Sequence, residues 1–240
     1  MEVVIEACQS IKDHVEKTHK IDTLQKDVLQ KLFEVITKDK ETLCRNFKDY
    51  FERYKKENAK VKKDNKGGPL DNWFERALHN VIKRNSSEFN YTYEDYNEFV
   101  VSDIIEVCEE FILCLDGKTN SGDGDGKKNK IHFGVNQSNI GNYSFKNYVS
   151  NKNPEEKWGL FRGDISPYYR NDKPTLCYIC KIIYDDKKEV PECKSIHVYC
   201  IPHKDTFHLY KDKIKRGGNK SKDEQRLEIN DETLVKVIYL

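Results

Sequence analysis

The chain has 240 residues, of which 35% are charged and 37% hydrophobic, and a formal net charge of +1. That length can bury a real core in one sizeable domain, and an aromatic content of 11% argues against a disordered chain. No apolar run approaches the roughly 20 residues a membrane span requires. The first residues, "MEVVIEACQSIKDHVEK", lack the basic-then-apolar layout of a signal peptide, so a cytoplasmic location is expected.

The first amphipathic helix is predicted over 23–38, with Leu24, Val28, Leu32, Val35 and Ile36 on one face and Asp22 or Thr23 as its cap. A second follows in "ETLCRNFKDYFERYKKENAK", striped by Leu43, Phe47, Tyr50, Phe51 and Tyr54. Gly67, Gly68 and Pro69 then punctuate the chain. A third helix, "DNWFERALHNVIKR", buries Trp73, Phe74, Ala77, Leu78, Val81 and Ile82 and carries Glu75, His79 and Lys83 on another face. From Asn97 to Asp116 the period changes to that of two strands joined by an acidic turn near Glu109 and Glu110. Residues 119–157 read as polar and loop-like. Strands are expected in "TLCYICKIIY" and "KSIHVYCI", a short helix in "KDTFHLYKDKI", and further strands in "QRLEI" and "LVKVIYL". Helices followed by a mixed sheet give an α/β layout with one central sheet.

The hairpin "FVVSDIIEVCEEFILCLDGK" is the most informative stretch. Residues i and i+2 of a strand share a face, so Asp116 and Lys118 project together. Folding the hairpin about residues 108–110 returns Asp103 to the side of Asp116. Two hard carboxylates are what Mg²⁺ seeks, with water or phosphate completing its shell. A metal so held stabilises charge on a scissile phosphate, and a nearby lysine orients the attacking water or neutralises developing charge. Glu106 and Glu109 compete with Asp103 for the first acidic position.

Charge is unevenly spread. Residues 55–66 hold six lysines against two acids, and residues 211–222 hold six cations against one acid. Such patches suit phosphate backbones, or form a solvated face. In "KRGGNKSK", Lys215, Arg216, Asn219, Lys220 and Lys222 surround glycines that allow close backbone approach to phosphates. In "IHFGVNQSNIGNYSFKN", Asn136, Gln137, Asn139 and Asn142 suit the adenine edge and suggest an A·T-rich target, although Asn is also a turn former.

Eight cysteines lie mostly within apolar patterns and read as buried free thiols. Zinc could be assembled from Cys177, Cys180, Cys193, Cys200 and His203, but a strand running through "CYIC" points Cys177 and Cys180 to opposite faces. "DGDGKK" at 123–128 lacks the full spacing of a calcium loop.

The pattern "FVVSD…FILCLDGK" resembles the Asp…Asp-x-Lys core of the PD-(D/E)xK nuclease superfamily, in the version found in many type II restriction endonucleases. "ECKSIHVYCIPH" and "KIKRGGNKSKDEQRLEI" resemble a downstream block of rare-cutting members, so the likeness spans roughly residues 70–230. It implies a restriction-endonuclease-like core over residues 67–240, a central mixed sheet flanked by helices, and a helical N-terminal region over 1–66 for dimerisation or clasping DNA. It further implies Asp103 and Asp116 as Mg²⁺ ligands, Lys118 as the catalytic lysine and Glu75 as an auxiliary acid. Ser102 stands where the superfamily often has Pro. The expected activity is cleavage of both strands of duplex DNA at a short palindrome by a homodimer, functionally paired with a DNA methyltransferase. The alternative is a non-catalytic, zinc-stabilised nucleic-acid-binding module, which predicts bound zinc and no cleavage.

Overall fold

The computed structural model describes residues 2–57, 67–92, 104–121, 130–134, 169–185, 192–216 and 224–240. Its first element is one continuous helix, α1 (Glu2–Glu57), rather than two. The polar run "TKDKE" reads as a boundary but contains no Gly or Pro, and the apolar stripe stays in phase across it. Ile21, Val28, Leu29, Leu32, Val35, Ile36, Leu43, Phe47 and Phe51 are all buried along it. Asp22 lies inside this helix instead of capping it; it accepts hydrogen bonds from Gln25 (2.9 Å) and Tyr210 and pairs with Lys26 at 2.8 Å.

Helix α2 (Gly67–Arg84) begins at the glycines, with Pro69 in its first turn, where a missing N–H costs nothing. Phe74, Leu78, Val81 and Ile82 are its buried residues, and Trp73 stacks on Tyr50 of α1 with ring centroids 5.7 Å apart.

Among the described residues nine strands follow: β1 (Ile104–Val107), β2 (Ile112–Ser121), β3 (Lys130–Gly134), β4 (Tyr169–Arg170), β5 (Lys173–Asp185), β6 (Glu192–Ile201), β7 (Ile214–Arg216), β8 (Glu224–Ile229) and β9 (Val235–Tyr239). The main sheet runs β1-β2-β5-β6-β9, with β4 joined to the start of β5 through Asn171 and Asp172, both at positive φ as a tight hairpin requires. β2 and β5 are parallel and the remaining pairs antiparallel, so the sheet is mixed and central as expected. A second sheet, β3-β8-β7, had no counterpart in the sequence pattern. It contains "QRLEI", and its strand β3 comes from a stretch that reads as loop.

The helix expected over 204–214 is instead a single 3-10 turn, Phe207–Leu209, within a run of turns leading into β7. Side-chain bonds outcompete the helix there. Thr206 donates to His203 O (3.0 Å) and to Gln25 Oε1 of α1 (3.2 Å), and His203 N donates to the same oxygen.

Both helices pack on one face of the main sheet. Tyr178 of β5 donates to Gln25 O of α1 (2.9 Å), and Phe47 meets Tyr184 with centroids 5.2 Å apart. Helix α2 lies against Gly117 of β2. The opposite face holds Asp116 and Lys118.

Candidate active site

Strand β2 is apolar and buried from Ile112 to Leu115, then changes chemistry at Asp116. β1 pairs with β2 only from Val107↔Ile112 to Ile104↔Leu115, so the outer edge of β2 beyond Leu115 is left by β1 among the described residues. Asp116 sits at that transition with its side chain fully buried. Lys118 Nζ lies 2.7 Å from Asp116 Oδ2, and its side chain is 20% exposed. A buried carboxylate held by a half-open ammonium is expensive to maintain unless the pair is well made. Here the strand geometry presents both groups on one face, two residues apart.

Asp103, the expected second carboxylate, lies outside the described residues. The β1–β2 register does decide between its competitors. Glu106 pairs with Leu113 and projects to the helix face, where its carboxylate is 3.5 Å from His79 of α2. Glu109 is exposed in the turn at the far end of the hairpin. Neither stands beside Asp116.

Glu75 is brought to the Asp-x-Lys segment, but from the other side. Its Cγ is 3.0 Å and its Cα 3.3 Å from where a Cβ on Gly117 would stand. Because side chains alternate along a strand, the backbone of Glu75 lies across β2 from the side chains of Asp116 and Lys118. Gly117 is therefore the residue that lets α2 come this close.

The expected DNA-contacting segments lie in sequence next to strands of the second sheet. Gly134 at the end of β3 pairs with Glu224 at the start of β8, and β7 ends at Arg216 beside Leu227. The segment following β3 and the one preceding β8 thus leave from adjacent positions at one end of this sheet. Lys215 is exposed; Asn136, Gln137, Asn139, Asn142, Asn219, Lys220, Lys222 and the side chain of Arg216 lie outside the described residues.

Sequence reasoning missed a polar cluster on the site face. Lys118 is in register with Lys181 of β5, which is in register with His197 of β6. Lys181 is buried, donates to the backbone oxygen of Lys130, and lies over the Tyr199 ring at 5.2 Å. Ser195 Oγ and His197 Nε2 are 2.8 Å apart, and His197 Nδ1 is 3.1 Å from the Tyr199 hydroxyl. The Tyr199 hydroxyl also donates to Lys130 O at 3.3 Å. Burial pushes that hydroxyl's pKa up, so it remains a donor. The available signal was a lone lysine inside the apolar run "TLCYICKIIY".

Among the described residues, no group of three or more His, Cys, Asp or Glu side chains is arranged to hold a metal ion. Asp116 carries a hard oxygen donor of the kind Mg²⁺ takes, and Asp103, the other expected ligand, lies outside the described residues. Cys177 and Cys180 point to opposite faces of β5, so they do not chelate one ion together.

No protein-family model matches the chain, and no curated protein does. Among solved structures it is similar to the restriction endonuclease BglI bound to its DNA recognition sequence, with a TM-score of 0.66 and 14% identity, covering 99% of this chain and 97% of that one. It is also similar to the tetrameric restriction endonuclease SfiI bound to cognate DNA, with a TM-score of 0.58 and 13% identity, covering 92% of this chain and 85% of that one. The fold is restriction-endonuclease-like. No helix of the described residues is long and apolar enough to cross a membrane.

Proposed function

We propose that the chain is a Mg²⁺-dependent, site-specific endonuclease that hydrolyses phosphodiester bonds in both strands of duplex DNA. The observation that carries this reading is the buried Asp116–Lys118 pair on β2, in a fold shared almost end to end with a DNA-bound restriction endonuclease. Asp116 and Asp103 would hold the ion, which when bound supplies charge stabilisation at the phosphate and a more acidic water. Lys118, tethered by Asp116 and still reached by solvent, is placed to orient that water or meet the negative charge developing on the phosphate. Lys215 and the basic and Asn-rich segments around residues 136–142 and 216–222 would contact the DNA backbone and bases. Two copies acting as a homodimer on a palindromic, A·T-rich site would cut both strands, with a methyltransferase protecting host DNA.

The test is digestion of large, sequenced DNAs with purified protein, in Mg²⁺ and in EDTA, beside Asp116→Ala. Discrete fragments that require Mg²⁺ and disappear in the variant support the reading, and their ends give the site. A smear removes site specificity. Intact DNA from several genomes removes the nuclease and favours a binding module.

A further inference from the structure

We propose that Lys181 is a positioning residue that couples the three-stranded sheet to the Asp116–Lys118 strand; this rests on the endonuclease reading above. The argument begins with register. Lys118 and Lys181 are directly paired on parallel neighbours, whose backbones lie roughly 4.8 Å apart. Like charges so placed repel. They are kept apart by leaning in different directions: Lys118 onto Asp116, and Lys181 onto the Lys130 carbonyl and the Tyr199 ring.

Lys130 is the first residue of β3, and its carbonyl is a point at which the second sheet is bonded to the main one. Its carbonyl receives donors from two strands, Lys181 of β5 and Tyr199 of β6. With the proton of His197 on Nδ1, that ring donates to the Tyr199 hydroxyl and leaves the hydroxyl's own proton for Lys130. The contact point is therefore held by an ordered relay rather than by one flexible side chain. The far end of β3 pairs with the start of β8, next to the segments assigned to DNA. A shift of this sheet on binding DNA is felt at Lys130, then at Lys181, and across one register step at Lys118.

Lys181 also breaks a local rule. It is 2% exposed in a strand whose buried residues are otherwise almost all apolar. An unbranched apolar side chain would fill the same space without the cost of burying an ammonium. Such departures collect at functional positions.

Three variants test the proposal: Lys181→Met, Lys181→Arg and Tyr199→Phe. In Lys181→Met, amides of β3 exchange hydrogen faster than in the wild type, while those of β6 do not. DNA affinity measured without metal stays within about threefold, and single-turnover cleavage at saturating protein slows by about tenfold or more. Lys181→Arg restores most of both losses. Tyr199→Phe, which keeps ring and charge, raises β3 exchange to a smaller degree and covers the case in which Lys181→Met does not fold. Unchanged β3 exchange in both Lys181→Met and Tyr199→Phe overturns the proposal. So does a fall of affinity and cleavage in equal proportion, which marks general loss of structure. If the wild type leaves DNA intact, the endonuclease reading falls and the coupling with it, whereas β3 exchange separately decides whether Lys181 holds the second sheet.

Discussion

Gly117→Ala is the sharpest test of how the site is supported. The added Cβ would stand 3.0 Å from Glu75 Cγ, 3.3 Å from Glu75 Cα and 3.3 Å from Phe74 Cδ1. Non-bonded carbons sit comfortably from about 3.5 Å, so the worst of these is short by about 0.5 Å. The Glu75 side chain can turn away, but its backbone and the Phe74 ring cannot. Phe74, Leu78, Val81 and Ile82 anchor α2 with 1% exposure or less. Overpacking of this kind costs about 1–3 kcal/mol, and Ala gains back about 0.5–1 kcal/mol over Gly within a strand. The centres of these ranges leave a net loss of about 1 kcal/mol, read as a lower urea midpoint at unchanged slope. Cleavage by the folded variant should fall too, because β2 carries Asp116 and Lys118 with it. Adding Glu75→Ala should recover part of the stability, since it removes the crowding by the Glu75 side chain and leaves that by the α2 backbone. A Gly117→Ala protein as stable as the wild type would refute this account of why α2 and β2 meet at a glycine.

Asp116→Asn should lower single-turnover cleavage by on the order of 10³-fold while DNA affinity survives, measured on the same preparation. For Asp205, burial works to raise the carboxyl pKa, but the Tyr169 hydroxyl, His203, Lys17 and Lys204 outweigh it and hold the pKa below the usual range. Its folded pKa is depressed, so its stabilisation is present above the ordinary carboxylate range and is lost as pH falls through the folded value. Asp205→Asn should therefore destabilise near neutral pH and narrow its gap to the wild type on acidification, followed by urea midpoints. Among the described cysteines, Cys44 is half-buried, and a hydrogen bond with Cys193 lowers its pKa, whereas burial pushes Cys108 up to about 12. Alkylation of the native protein near pH 8, mapped by mass spectrometry, should label Cys44 first and Cys108 only after unfolding.

The hairpin that holds Asp116 and Lys118 was legible because its signals are local: two-residue alternation, an acidic turn, and charge beginning where apolarity ends. Helix α1 was legible in its stripe and not in its length. Thr37 to Glu41 look like a break, and only the phase of Leu43 and Phe47 with Ile36 shows that the helix continues. β3 could not be read, because "KIHFG" becomes a strand through pairing with β8, about a hundred residues away. For the same reason the turns at 204–213 read as a helix: their bonds run to Gln25 and Asp22 on α1. Lys181 was passed over as a lone lysine in an apolar run, and the role proposed for it depends on a backbone oxygen that no sequence pattern announces.

The two faces of the main sheet divide the work. The helix face is mostly apolar, with Tyr178, Tyr184 and Gly117 locked against α1 and α2 and the Glu106–His79 pair at its β1 edge. The other face gathers Asp116, Lys118, Lys181, Ser195, His197 and Tyr199 across three neighbouring strands. Among the described residues, Asp116 is flanked in the sheet by β5, and α2 lies against the neighbouring Gly117. Two kinds of substitution should follow from this arrangement. Changes on the helix face move the pair without altering its chemistry, so stability and rate fall together. Changes at Lys118 leave the scaffold standing and alter what the pair can do, so rate falls alone.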